Sequence, residues 1–324
     1  MLHKEQAGFD ELLARGQNND KRAIGRMISC IETGGTADHH MMQQLWSHTG
    51  RARIVGITGS PGTGKSTLAD RMVKYWLTKG YRIGVIAVDP SSPFTGGAIL
   101  GDRVRMNDLA LVHEVYIRSM SARGQLGGLS LACSGAVGVL DACGYDIVLI
   151  ETVGVGQSEV AIMNVADLVL VISVPGLGDD VQAIKAGILE IGDVFGVNKA
   201  DLPGADRTAK ELKAMLDMNP NMGEHQPPVL MVSAERSQGV DELCDAILEN
   251  YAWMEESGEL LKRRNRRLRE ELLSYMQDRV YRQVLAPVIE NDSFDKNIKD
   301  FLSHARNPYV WAGEIADRME EKLK

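Results

Sequence analysis

Gly59-Ser60-Pro61-Gly62-Thr63-Gly64-Lys65-Ser66 is a complete G-x-x-x-x-G-K-[ST] phosphate loop, and what flanks it decides the fold class. Gly59, Gly62 and Gly64 free the backbone for turns that a side chain forbids, so successive N–H groups converge on phosphate oxygens. Lys65 is placed to reach the β- and γ-phosphates, and the Ser66 hydroxyl to ligate Mg²⁺. Ser60, Pro61, Thr63 and Thr67 complete the expected nucleotide-binding stretch. Upstream, Arg53-Ile54-Val55-Gly56-Ile57-Thr58 reads as a buried strand. Downstream, residues 67–79 carry Leu68, Met72, Tyr75 and Trp76 at helical spacing, with Gly80 placed to end the helix. Strand, loop and helix in that order aim a helix N-terminus at the phosphates.

Outward from the loop, short apolar runs at 54–58, 83–88, 147–150, 168–174, 194–197 and 229–232 read as strands. They are nearly continuously apolar rather than alternating, as parallel strands covered on both faces are. Helical stretches at 180–191, 207–216 and 240–251 lie between or after them. The expected fold is therefore α/β, a P-loop NTPase with a largely parallel, doubly wound sheet and ligands at the C-terminal strand ends. Residues 1–50 read as a helical extension, with Ile24, Met27, Ile28 and Ile31 in one stripe and Met41, Met42, Leu45 and Trp46 in a second. The P-loop domain is assigned to 51–256. Residues 257–324 read as a helical segment, opened by Lys262-Arg263-Arg264-Asn265-Arg266-Arg267-Leu268-Arg269 on a long helix whose apolar face includes Leu268, Leu272, Met276 and Val280. A solvated helix face is the expectation for this basic run, and dimerisation for the segment.

Composition narrows the classes. Of 324 residues, 36 are Lys or Arg and 44 are Asp or Glu, a net charge of −8 that argues against a nucleic-acid binder. Cys30, Cys133, Cys143 and Cys244 include no C-x-x-C pair, so reduced thiols are expected. His39, His40 and His48 show no metal-ligand spacing. No run approaches the roughly 18 apolar residues of a membrane span, and no signal-peptide pattern opens the chain. A cytoplasmic protein with no membrane partner is expected.

Asn198-Lys199-Ala200-Asp201, at a strand end, is the N-K-x-D guanine reader. The Asp201 carboxylate can accept from guanine N1–H and the exocyclic amine, a donor pair adenine lacks. Asn198 can brace the loop and the Lys199 stem can lie over the ring, while Ser233-Ala234-Glu235 ends the next strand near the guanine O6. These residues make GTP and GDP the expected ligands. Three acidic residues lie between the motifs: Asp89 closing the second strand, Asp102 in Ile99-Leu100-Gly101-Asp102-Arg103, and Glu151 in Ile150-Glu151-Thr152-Val153-Gly154. Each could merely cap a loop. Together, after a phosphate loop, they read as the Mg²⁺ and catalytic set with Lys65 and Ser66. The Gly154 N–H is suited to the γ-phosphate. Small GTPases usually carry Asp at position 151 and a catalytic Gln after the glycine; Glu151 and Val155 stand there, so slow intrinsic hydrolysis and stimulation by a partner are expected. Arg103, Arg105 and Arg118 are candidate transition-state cations or ordinary surface arginines.

With residues 59–67, the stretches Val88-Asp89-Pro90-Ser91-Ser92-Pro93, Gly97-Ala98-Ile99-Leu100-Gly101-Asp102-Arg103-Val104-Arg105-Met106 and Glu151-Thr152-Val153-Gly154-Val155-Gly156-Gln157-Ser158-Glu159 resemble one particular family. It is the GTPase chaperones of adenosylcobalamin-dependent acyl-CoA mutases, the MeaB/ArgK group of SIMIBI-class P-loop GTPases. Pro175-Gly176-Leu177-Gly178-Asp179-Asp180-Val181-Gln182-Ala183-Ile184-Lys185-Ala186-Gly187 continues the resemblance, which is dense over 50–240 and loose at both ends. It implies a homodimeric GTPase that binds methylmalonyl-CoA mutase or a close relative, gates cofactor loading and protects the mutase from inactivation. By the same resemblance Asp89, Asp102 and Glu151 belong to the Mg²⁺ and switch machinery. The resemblance further implies that Asp179, Asp180, Gln182 and Lys185 lie in a mobile segment that communicates with the mutase; by residue type alone, the two aspartates could be N-caps. No D-x-H-x-x-G cobalamin signature is present, so cobalamin is expected on the partner. The alternatives are a small-molecule kinase, which the phosphate loop alone permits, and a GTP-dependent clamp that hydrolyses negligibly.

Overall fold

The computed structural model describes residues 2–33, 36–90, 106–122, 128–152, 162–176, 188–218, 225–288 and 294–323. Three helices come first, α1 (Leu2–Gln17), α2 (Lys21–Thr33) and α3 (Thr36–Leu45). Asp20 starts α2 by accepting the backbone N–H groups of Arg22 and Ala23 at 2.9 and 3.2 Å. The stripe Ile24, Met27, Ile28 and Ile31 is fully inward, as its spacing predicts. The chain then alternates: β1 (Arg53–Thr58), α4 (Lys65–Thr78), β2 (Ile83–Pro90), β3 (Val115–Ala122), α5 (Gly128–Ala142), β4 (Ile147–Thr152), β5 (Leu168–Ser173), β6 (Val194–Val197), α6 (Ala205–Asp217), β7 (Val229–Met231) and α7 (Val240–Glu256). Helices α8 (Glu259–Val280), α9 (Phe294–Leu302) and α10 (Pro308–Leu323) close it.

The sheet has seven parallel strands in the order β3-β2-β4-β1-β5-β6-β7. From central β1 the chain winds to one edge and later to the other, so the order reverses beside β1, where doubly wound sheets bind ligands. Alternate residues feed two cores. Ile54, Val148, Ile150 and Val169 face α1, α2, α3, α5 and α6, whereas Val55, Ile57, Leu149 and Leu170 face α4 and α7. Burial on both sides is why these strands read as unbroken apolar runs.

Four readings from sequence change. The edge strand β3 was not among the expected strands, because Val115-Tyr116-Ile117-Arg118-Ser119 mixes polar and apolar residues. It pairs with β2 alone, and Arg118 leaves it to bind Glu32 and Ser29 on α2. Trp46 leaves its stripe: α3 ends at Leu45, a 3₁₀ turn over Trp46–His48 shifts the register, and the indole is 63% exposed. The basic run is solvated only in part: Lys262, Asn265, Arg266 and Arg269 are exposed, and three arginines turn inward. Arg264 and Arg267 converge on Asp167, whose side chain is fully buried, while Arg263 pairs with Asp193 at 2.7 Å. Of the expected helix at 180–191, the described part is a single 3₁₀ turn at Ile188–Glu190.

The chain forms two compact units, Met1–Arg267 and Leu268–Lys324. Within the second, Phe301 and Trp311 pack with ring centroids 5.5 Å apart, and Arg306 bridges Asn297 and Glu314. Leu272, Met276 and Val280, on the apolar face expected of this helix, are about half exposed.

Candidate nucleotide site

The phosphate loop turns sharply out of β1. Gly59 has φ +142°, and a Cβ there would lie 2.2 Å from the Ile172 carbonyl oxygen, so only glycine fits beside β5. The loop ends at Gly64, which caps α4 with φ +83° and no side-chain cap. The first N–H groups of α4 therefore face the loop, as anion binding at a helix N-terminus requires. Lys65 and Ser66 are both buried on that first turn. The Lys65 ammonium donates to the Gly59 and Ser60 carbonyls, the second at 3.0 Å, and so bends back over the loop. Ser60, Pro61, Gly62 and Thr67 lie on the accessible side, and Thr63 is buried beneath them.

Glu151 lies on β4 opposite Ile57 of β1, one strand from the loop. Its Oε1 accepts the Ser66 hydroxyl at 2.6 Å, which fixes the serine rotamer at the end of the sheet. A hydroxyl and a carboxylate are hard oxygen donors, and Mg²⁺ in nucleotide sites is held by one or two such protein groups plus phosphate oxygens. The pair fits that ion. Asp89 occupies the penultimate position of β2, in register with Ser121. Asp102, Gly154, Asp179, Asp180, Gln182 and Lys185 lie outside the described residues, as do Arg103 and Arg105. Among the described residues no group of three His, Cys, Asp or Glu side chains is poised for a metal.

The base-reading half hangs on Asn198, just past β6. Its Nδ2 donates to the Thr63 carbonyl at 2.8 Å, its Oδ1 accepts the Ala234 N–H at 3.1 Å, and its own N–H donates to Ser173 at 2.8 Å. One buried amide thus joins the loops following β1, β5, β6 and β7. Lys199 sits in the left-handed region (φ +58°) and its Nζ reaches the Gly62 carbonyl at 2.8 Å, so its stem spans from base loop to phosphate loop. Asp201 is held by the Ser233 hydroxyl, which donates to Oδ1 at 2.7 Å, while Arg236 Nε lies 3.6 Å from Oδ2. The Ser233 hydroxyl first, and the Arg236 charge to a lesser extent, hold the Asp201 carboxyl below its ordinary range, keeping it an acceptor. Glu235 is exposed at the turn.

Two contributors carry no sequence signal. Arg71 on α4 donates to the Ala234 carbonyl at 3.2 Å and braces the base loop from behind; Arg236 is placed by a turn that ordinary loop composition does not announce.

A family model described as methylmalonyl-CoA mutase-associated GTPase MeaB matches residues 24–288, more than three quarters of the chain and all of the sheet. The chain belongs to the MeaB family. It is a P-loop GTPase, and the family's chemistry is that of GTP and GDP. Relatives agree along the length. A Pyrococcus horikoshii protein named as a GTPase is 44% identical over 318 residues, covering 97% of this chain and 98% of that one. GTPase ArgK of Escherichia coli is 32% identical over 312 residues, 93% and 92% of the two chains. The mitochondrial methylmalonic aciduria type A homolog of Caenorhabditis elegans is 34% identical over 251 residues, 74% of this chain and 63% of that protein. A crystal structure of an LAO/AO transport system kinase covers 97% of this MeaB-family chain and 98% of its own with a TM-score of 0.72; at 24% identity that likeness bears on the fold. No helix among the described residues is long and apolar enough to cross a membrane.

Proposed function

We propose that this MeaB-family GTPase is a metallochaperone for an adenosylcobalamin-dependent acyl-CoA mutase, methylmalonyl-CoA mutase in the first instance. It would gate cofactor loading and protect the mutase from inactivation. The observation that carries this is the family match across 24–288, lying over a complete phosphate loop and guanine reader. The cobalamin is the partner's, and this chain supplies a GTP-controlled contact through Asp179, Asp180, Gln182 and Lys185. Mg²⁺ would be held by Ser66 and Glu151 with Asp89 and Asp102, and it offsets charge on the β- and γ-phosphate oxygens. Lys65 leaves the loop carbonyls for the phosphates, α4 presents its N–H groups to them, and Asn198 keeps phosphate and base loops at a fixed separation. Val155 follows Gly154 where a water-orienting Gln would stand, which supports slow hydrolysis that a bound mutase accelerates. The exposed Leu272, Met276 and Val280 support a homodimer, and the net charge of −8 favours a protein partner over nucleic acid, with both proteins placed in the cytoplasm by this reading.

Phosphate release from GTP, measured with and without a cobalamin-dependent methylmalonyl-CoA mutase, tests this. Stimulated release and nucleotide-dependent co-elution are expected; equal rates and no complex with GDP or a non-hydrolysable GTP analogue would overturn it. Base reading has its own test: Asp201→Asn should move selectivity from GTP towards XTP by at least about tenfold, since an amide pairs with the xanthine carbonyl and leaves guanine donors unmatched.

A further inference from the structure

Asp201 is the group on which guanine selection depends, and both of its oxygens are already engaged within the chain. Ser233 donates to Oδ1 at 2.7 Å, a hydrogen bond that leaves Oδ1 room for another donor. The contact at Oδ2 is of another kind. Arg236 Nε stands 3.6 Å away, too far for a good hydrogen bond but close enough for charge attraction. Arg236 is not there by chance of a floppy side chain alone. Its turn is pinned by a two-way backbone bridge between Ser233 and Gln238, at 2.9 and 3.1 Å, with Ser237 in the left-handed region at φ +55°. The Arg236 N–H itself points to the Ser233 hydroxyl at 3.4 Å, so the oxygen that orients Asp201 also orients the backbone of its competitor. The Asp201 side chain is 14% exposed and the Arg236 side chain 61% exposed, so the carboxylate is fixed while the guanidinium is free to leave.

We infer that Arg236 is a positioning residue of the base site that competes with guanine for Asp201, acting as an intramolecular counter-ion the base must displace. The inference rests on Asp201 being the guanine reader. A guanine approaching Oδ2 brings an N–H donor to the place the guanidinium faces, and both cannot occupy it. Guanine, with its matching donors, recovers what is lost on displacing the arginine, so the contact lowers guanine-nucleotide affinity by the cost of breaking the pair and leaves the reading of the base to Asp201. Because an exposed ion pair is weak, the brake is small, about two- to fivefold in affinity.

The experiment is isothermal titration of GDP, with Mg²⁺, into the full-length protein and its Arg236→Ala and Arg236→Lys variants. Arg236→Ala should bind GDP about two- to fivefold more tightly, with a smaller gain at 1 M salt, where the pair is screened. Inorganic pyrophosphate, which engages the phosphate loop without a base, should bind wild type and Arg236→Ala alike. Arg236→Lys should lie between them. Simple charge removal predicts the opposite sign, since taking a cation from beside a polyanion weakens binding; unchanged or weaker GDP affinity in Arg236→Ala overturns the inference. Asp201→Asn, titrated with GDP and XDP, separates the two layers. If it switches base preference while Arg236→Ala does nothing, the guanine reader stands and the competition falls. If it does not switch, both fall. Thermal melts of the variants confirm folding, which a side chain so exposed should not disturb.

Discussion

Asp167 has no contact with the nucleotide, yet its loss should be among the most damaging changes in the protein. It precedes β5 at the sheet end away from Asn198, with its side chain wholly buried. Arg264 grips it with two donors, Nε to Oδ1 at 3.2 Å and Nη2 to Oδ2 at 2.7 Å; Arg267 donates to Oδ1 at 2.7 Å and Tyr251 to Oδ2 at 2.5 Å. The same Arg264 guanidinium also ties down the Gly50 and Ala52 carbonyls ahead of β1, at 2.9 Å each. Asp167→Asn keeps the shape but removes the charge that two guanidinium groups face. Breaking a buried pair by removing one partner costs about 3–5 kcal/mol. The arginine side chains are 25% and 18% exposed, so water softens the loss and the low end, about 3 kcal/mol, is expected. At roughly 2 °C per kcal/mol for a domain of this size, the melting temperature should fall by about 6 °C. Urea unfolding without nucleotide is the assay, because bound GDP would add stability by mass action. Arg264→Met and the double variant complete a cycle, in which the double variant should lose at least about 1 kcal/mol less than the sum of the singles. Arg207→Ala, which breaks an exposed pair with Glu211, serves as reference and should change stability by less than about 1 kcal/mol. A loss under about 1 kcal/mol for Asp167→Asn would place the cluster among ordinary surface pairs and refute the assignment of a buried latch.

Two further outcomes follow from backbone and burial. Gly59→Ala forces a side chain onto a φ of +142° with its Cβ 2.2 Å from the Ile172 carbonyl oxygen, so calorimetry should show GDP affinity reduced by more than about tenfold; near-native binding would mean the loop relaxes freely. Burial pushes the Cys133 and Cys143 thiols up to about 12 and raises Cys244 as well, so at pH 8 all three remain protonated and unreactive. A disulfide-exchange reagent should then titrate only half-buried Cys30 quickly, and all four cysteines in guanidinium; two or more fast thiols in the native protein would contradict the packing.

What could be read without a structure was whatever is local. The phosphate loop, the strand before it and the helix after it span adjacent residues, and their meaning lies in spacing. Six strands were legible as nearly continuous apolar runs, five of them because both faces are buried and edge strand β7 because it is apolar though only partly covered, and the N-K-x-D tetrapeptide announced guanine. Edge strand β3 escaped because Arg118, Ser119 and Ser121 interrupt its apolar run, which a strand with one neighbour tolerates. Arg263, Arg264 and Arg267 read as part of a charged surface because their counter-ions, Asp193 and Asp167, are far away in sequence, and only packing reveals that these charges have been drawn out of water together. The same limit applied inside the site. Sequence supplied Asn198 and Asp201 as types, but the tertiary structure decided that Asn198 spans from base loop to phosphate loop and that Arg236 faces the carboxylate. A motif records which groups a ligand needs; which other groups of the chain contend for them depends on distances that exist only once the loops after β6 and β7 meet.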